Sequence, residues 1–167
     1  MAKETYAEAG VKQKGTAKTT AIRVGLIALL LISMPLSQLA SFLYIVPVLV
    51  LLVVIYIFPK LNLEYEYIYV DGQIDFDRIM GGAKRKTVLR IDMEDVELVA
   101  PSESDELLAY SHRENVITKN FSSLQPDSKT YTLIHSAEGK TTKVIFEPSA
   151  KMMECMKGKA PRKVKEY

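Results

Sequence analysis

The sequence predicts an α+β chain: a transmembrane helical hairpin, then a mainly antiparallel β domain of about seven strands, then a C-terminal amphipathic helix. Three observations carry this. No charged side chain occurs in the 35 residues from Val24 to Phe58. From Glu64 onward apolar and polar residues alternate with a period of two, interrupted at Asp71-Gly72 and Gly81-Gly82. After Pro148 the spacing lengthens to threes and fours, placing Ala150, Met152, Met153 and Met156 on one stripe.

The uncharged run is too long for one straight helix, because ~20 apolar residues cross a bilayer core of about 30 Å. Its middle holds Ser33, Pro35, Ser37, Gln38 and Ser41, where the chain becomes polar and turn-prone. Two helices are therefore expected, about 21–34 and 39–58, joined near Pro35 to Gln38. The first is short for a full span, so a re-entrant segment is the alternative. A signal peptide would end in a small-residue cleavage site and a polar mature start, whereas here the apolar run continues. Pro47 is expected to kink the second helix.

Charge sets the orientation. Lys3, Lys12, Lys14, Lys18 and Arg23 oppose Glu4 and Glu8 before the run, a net of +3, while the turn is uncharged and Lys60 follows the second helix. Positive residues stay inside, which predicts a multi-pass protein of the cell membrane with both termini cytoplasmic. Tyr56 and Phe58 stand where interfacial aromatic residues are expected. Residues 1–20, small, polar and aperiodic, read as a disordered basic tail.

Residues 61–157 are long enough for one domain with its own core. Subtracting the tail's +3 from the whole-chain +2 leaves −1, so no basic field points to nucleic acid. A single cysteine, Cys155, cannot form an internal disulfide. Glu64 to Val70 reads as a strand with Tyr65, Tyr67 and Tyr69 on one face, a row expected in a core. Asp71-Gly72 supplies the turn to a strand from Gln73 to Ile79. A third strand is expected from Thr87 to Asp92 and a fourth over Val96 to Val99, stopped by Pro101.

Short strand candidates follow at Leu107 to Ser111 and Val116 to Asn120. Tyr131 to His135 and Thr141 to Glu147 form a hairpin around Glu138-Gly139. Ser149 can cap the terminal helix, which Gly158 and Pro161 end, and 158–167 remains as a second basic tail.

This element order resembles a pleckstrin-homology-like (PH-like) bent barrel whose open end is plugged by the helix; a plain β-sandwich with an appended helix is the competitor. NLEYEYIYVDGQIDFDRIMGGAKRKTVLRIDMEDVELVAP and FEPSAKMMECMKGKAPRKV resemble a family of small bacterial two-pass membrane proteins of unknown function. The resemblance implies membership but no activity.

Candidate chemistry is sparse. Lys84, Arg85 and Lys86 follow two glycines in what reads as a loop, with Arg90 outward on the strand that follows, and in a tethered domain these four suit anionic phospholipid headgroups. A solvated hairpin tip, or a partner for the acidic run from Asp92 to Glu106, is the plainer reading. That run lacks the spacing of a calcium loop and reads as a solvated face, giving a dipolar domain with its basic end toward the bilayer. Lys157, Lys159, Arg162, Lys163 and Lys165 suit a solubilising tail, a membrane contact or an acidic partner.

His112, His135 and Cys155 are too dispersed for a zinc site, and no metal or cofactor is expected. His112 is expected in an exposed loop. No nucleophile or dinucleotide motif occurs, so an enzyme is disfavoured. The expectation is a membrane-anchored binding or scaffolding module in contact with the lipid bilayer. Its partners would be anionic headgroups, a membrane protein or a second copy; recognition through the hairpin alone is the alternative.

Overall fold

The computed structural model describes residues 5–166 apart from His112, Glu114 and Glu138. Its first departure from expectation is at the N-terminus, where the supposed disordered tail contains strand β1 (Tyr6–Lys12), antiparallel to β2 (Leu63–Val70). The reason is size complementarity. Ala7, Ala9 and Val11 stand opposite Tyr69, Tyr67 and Tyr65, so small side chains leave room for large ones on the buried face. Ala7 is 1% exposed, yet alanine and glycine contribute too little hydropathy for the alternation to stand out in the sequence.

Between these strands lie helices α1 (Ala17–Leu36) and α2 (Ile45–Ile57). The helical hairpin is thus an insertion between two hydrogen-bonded neighbours of one sheet. Gln13 N–H still donates to Leu63 O at 2.9 Å before the chain leaves for α1. Helix α1 starts earlier than expected because Thr16 caps it, accepting from Thr19 N–H. It reaches 20 residues, removing the shortfall that suggested a re-entrant segment.

A 3-10 turn at Ser41–Tyr44 precedes α2 and another at Phe58–Leu61 follows it, so the second apolar stretch, Phe42–Leu61, is also 20 residues long. Pro47 falls in the first turn of α2, where its missing N–H costs little. Both helices are long and apolar enough to cross a membrane, and their leucines, isoleucines and valines face outward.

The first sheet runs β1-β2-β3-β4, with β3 at Gln73–Met80 and β4 at Lys84–Asp92. Asp71 and Gly72 both have positive φ, as the two-residue β2–β3 turn requires. The second sheet runs β5-β7-β8-β6, from β5 (Val96–Pro101), β6 (Val116–Asn120), β7 (Tyr131–Ala137) and β8 (Lys140–Phe146). Among the described residues the two sheets hold eight strands, in line with the expected number of about seven, and one pair, β6 with β8, is parallel.

Leu107 to Ser111, read as a strand, is instead a 3-10 turn (Asp105–Leu107) running into the short helix α3 (Leu108–Ser111), started by Ser104, which accepts from Glu106 N–H. Leu107 covers Leu98, Ala100 and Ile134 on the outer face of the second sheet, an amphipathic task that a short helical turn performs. His112, expected in an exposed loop, and Glu138 of the β7–β8 turn lie outside the described residues.

Between the sheets the rings of Tyr67, Phe76 and Phe146 stack edge-on, with centroids 5.5 to 5.6 Å apart. Phe121 adds a tilted contact to Phe76 at 5.2 Å. The fully buried Tyr67 donates its hydroxyl to Phe121 O at 2.5 Å, and burial pushes its pKa up. Helix α4 (Ala150–Lys159), capped by Ser149, inserts Met152, Met153 and Met156 into this core.

The segment after α4 is no free tail. Lys163 O and Lys165 N–H bond to Val99 N–H and O at 2.8 and 2.7 Å, and Val164 is buried. A single apolar residue among cations suffices because it lands beside an unpaired strand edge.

Strand β1 gives a direct test. Ala7→Asp would bury an unpaired carboxylate and is expected to cost about 3–5 kcal/mol in denaturant unfolding of the full-length protein. Glu8→Ala, on the exposed face, should stay within about 0.5 kcal/mol. Equal, negligible effects would mean the segment does not join the sheet.

Candidate membrane-facing site

Contacts of Gly81, Arg23 and Lys60 define the junction between the β domain and the hairpin. Gly81, in the β3–β4 turn at φ +61°, donates its N–H to Asn62 O at 3.2 Å. A Cβ there would lie 2.6 Å from Cβ of Pro59, so only glycine allows the turn to rest on the end of the second helix. Arg23 of α1 donates to Leu61 O at 3.1 Å and to Asn62 Oδ1 at 2.7 Å, tying the two helices together. Lys60 sits 3.3 Å from the centroid of the Tyr56 ring.

The basic cluster therefore begins at the hairpin junction. Lys84 is close enough to Tyr56 for the two to interact electrostatically. The cations expected in a loop are instead the first residues of β4. A register shift between Phe76 and Asp77 leaves Val88 as an extra residue on β4 and reverses its alternation. Leu89 and Ile91 follow the core face, but below the bulge Lys84 and Lys86 take that phase, opposite Met80 and Arg78.

Arg85 is turned to the outer face, where it pairs with Glu66 and, at 3.3 Å, with Asp77. Arg90, also outer, grips Asp75 with two bonds of 2.8 and 2.7 Å. The four predicted residues thus divide. Arg85 and Arg90 are held by carboxylates, whereas Lys84 and Lys86 are exposed and make no ion pair among the described residues.

The acidic run begins at the opposite end of β4. Eight residue steps separate Lys84 from Asp92, about 27 Å in a strand, and Met93 N–H donates to Gly72 O in the far turn. The start of the acidic run and Lys84–Lys86 therefore lie at opposite ends of β4, so the acidic run is not the partner of Lys84–Lys86. The C-terminal cations lie at the far pole too. Lys163 Nζ donates to the carbonyls of Met93 and Glu94 at 3.0 and 2.8 Å, and Lys165 stands 3.6 Å from Glu106. This cluster therefore lies at the other end of β4 from the hairpin junction.

Two carboxylates are held in their charged form by guanidinium partners. The Arg90 guanidinium holds Asp75 below the usual aspartate range, and Arg113, with two bonds of 2.9 Å, does the same for Glu97. Among the described residues no three His, Cys, Asp or Glu side chains come together as a metal site.

A family model matches residues 3–166, running through the inserted hairpin as well as both sheets. The chain belongs to the family described as Bacterial PH-like domain (DUF6106). No curated protein and no solved structure matches it. Within this PH-like domain, sequence reasoning missed Arg78 as part of the basic end. It stands opposite Tyr65 on one side and Lys86 on the other. The period-two count places Arg78 in the row of Ile74 and Phe76, which was the available signal. Lys60 and Arg23 were read only for orientation; the β2–β3 pairing brings the segment after α2 to Gly81, and Arg23 reaches that segment at Asn62 from the start of the hairpin.

Two outcomes follow. Gly81→Ala combines a positive φ with a clash against Pro59, so it should destabilise the PH-like domain by more than about 1 kcal/mol, while Gly82→Ala meets no neighbouring atom and should cost less in the same thermal unfolding assay. Asp75 has a lowered folded pKa, so its stabilising effect is present above the ordinary value of 3.8 and lost as pH falls through the folded value. The stability gap between wild type and Arg90→Gln should therefore be full at neutral pH and close on acidification, measured by denaturant unfolding across pH.

Proposed function

We propose that this PH-like protein crosses the cell membrane twice, keeps both termini in the cytoplasm, and uses the hairpin-facing end of its β domain to bind anionic phospholipid headgroups. The carrying observation is the seat of Gly81 on Pro59, at the end of the second apolar helix, where Lys60 and the unpaired Lys84 both act on Tyr56 and Lys86 follows two residues along β4. Both helices enter and leave between paired strands, so a hairpin crossing the bilayer returns the chain to the side of β1. The excess of Lys and Arg before α1 makes that side the cytoplasm.

Cations near an anionic leaflet contribute about 1 kcal/mol each, so Lys84, Lys86 and Lys60 together select charge without a deep pocket. Tethering raises the effective headgroup concentration, so weak contacts suffice. The far pole, where the acidic run meets the C-terminal cations, carries mixed charge and offers no comparable unpaired basic surface to the leaflet. The result is a binding or scaffolding module held upright on the membrane.

The test uses full-length protein in nanodiscs, with Cys155→Ser and a polarity-sensitive fluorophore on Ala83→Cys. Emission should shift to the blue when phosphatidylglycerol is added to phosphatidylcholine, and Lys84→Glu with Lys86→Glu should abolish the shift. Emission indifferent to lipid charge would refute headgroup binding and favour a membrane-protein partner. Membrane-impermeant labelling of the same cysteine in intact cells should fail until the cells are opened.

A further inference from the structure

We propose that β6 is a docking edge for an extended, alternately acidic and apolar segment of a partner protein, which adds as a new strand to the second sheet. In that sheet β6 is bonded only to β8. In a parallel pair a residue's N–H and C=O point to the same side and successive residues alternate. Phe121 N–H donates to Ile145 O at 2.8 Å, which directs Ile117 and Lys119 toward β8 as well. The N–H and C=O of Val116, Thr118 and Asn120 consequently face away from the sheet, a row of donors and acceptors with no backbone partner among the described residues, of the kind strand addition uses.

The opposite edge of the same sheet shows what such an edge takes. There β5 is covered by the chain's own residues 163–165, bonded on both sides of Val99. Segment addition is thus already part of how this sheet is completed, and β6 is its uncovered counterpart.

Side chains define the occupant. A cavity of about 260 Å³ lies beside the edge, lined by Leu107, Tyr110, Val116, Thr118, Ile134 and Lys143. Val116 and Thr118 therefore offer side chains to the cavity and backbone to the edge, so the apolar face of an added strand lies against both. On the other face of the pleat stand Lys119 and Lys140, which make no ion pair among the described residues, and Ile117, half exposed. Alternating apolar and acidic side chains set one face against the apolar lining of the cavity, Leu107, Val116 and Ile134, with Lys143 at its margin, and the other against Lys119 and Lys140.

The probe is a blocked heptapeptide, Glu-Val-Glu-Leu-Glu-Val-Glu, added to full-length protein in nanodiscs and read by amide hydrogen exchange. Binding should slow exchange at Val116, Thr118 and Asn120. The same peptide with Lys for Glu should bind at least about tenfold more weakly, and Lys119→Glu should narrow that ratio. Thr118→Pro removes an outward donor without touching the β6–β8 ladder and should abolish the protection. Methylating the peptide's edge-facing nitrogens should do the same with the protein unaltered. No binding, protection elsewhere, equal binding of both charges, or binding unaffected by N-methylation would overturn the proposal.

Discussion

The pairing of β1 with β2 is the constraint on which the rest of the molecule depends. Seven residues with little hydropathy close one edge of the first sheet, and in doing so they bring the start of α1 beside the end of α2. A helical hairpin attached to a domain at one end would swing. Here it is held at both ends by strands that share hydrogen bonds, and Arg23 and Gly81 lock the junction from the helix side and the sheet side. Orientation of the domain relative to the two helices is thus a property of the sheet, not of a linker.

That geometry gives β4 its meaning. One end of the strand touches the hairpin junction and the other reaches the far turn, so the charges along β4 are ordered by their distance from that junction. The bulge at Val88 then separates two kinds of cation. Arg85 and Arg90 are spent on Glu66, Asp77 and Asp75, which keeps an outer face of mixed charge neutralised; Lys84 and Lys86 remain available. Arginine suits the first task through its planar, bidentate donors, and lysine the second as a mobile point charge.

Much of the core was legible before the structure. The tyrosine row, the Ile74 and Phe76 alternation and the methionine stripe of α4 are strong periodic signals made by large side chains, and all three meet in one cluster. The candidate site was legible only as a group of four cations. Its division into paired and unpaired halves depends on a one-residue bulge, which no local pattern in TVLRID announces. Likewise, residues 158–167 carry one buried valine among cations, and only the proximity of Val99 turns them into a covering strand.

The sequence by itself determined two apolar helices joined by a polar turn, the excess of positive charge before them, most of the strands and the plugging helix, because each is written in local periodicity or composition. Tertiary structure alone decided that residues 6–12 are a strand, that the hairpin is an insertion between sheet neighbours, that the basic cluster and the start of the acidic run lie at opposite ends of β4, and that β6 has an open edge. These are outcomes of pairing between segments distant in the chain. Alanine opposite tyrosine, or glycine against proline, carries information only once the partner is known.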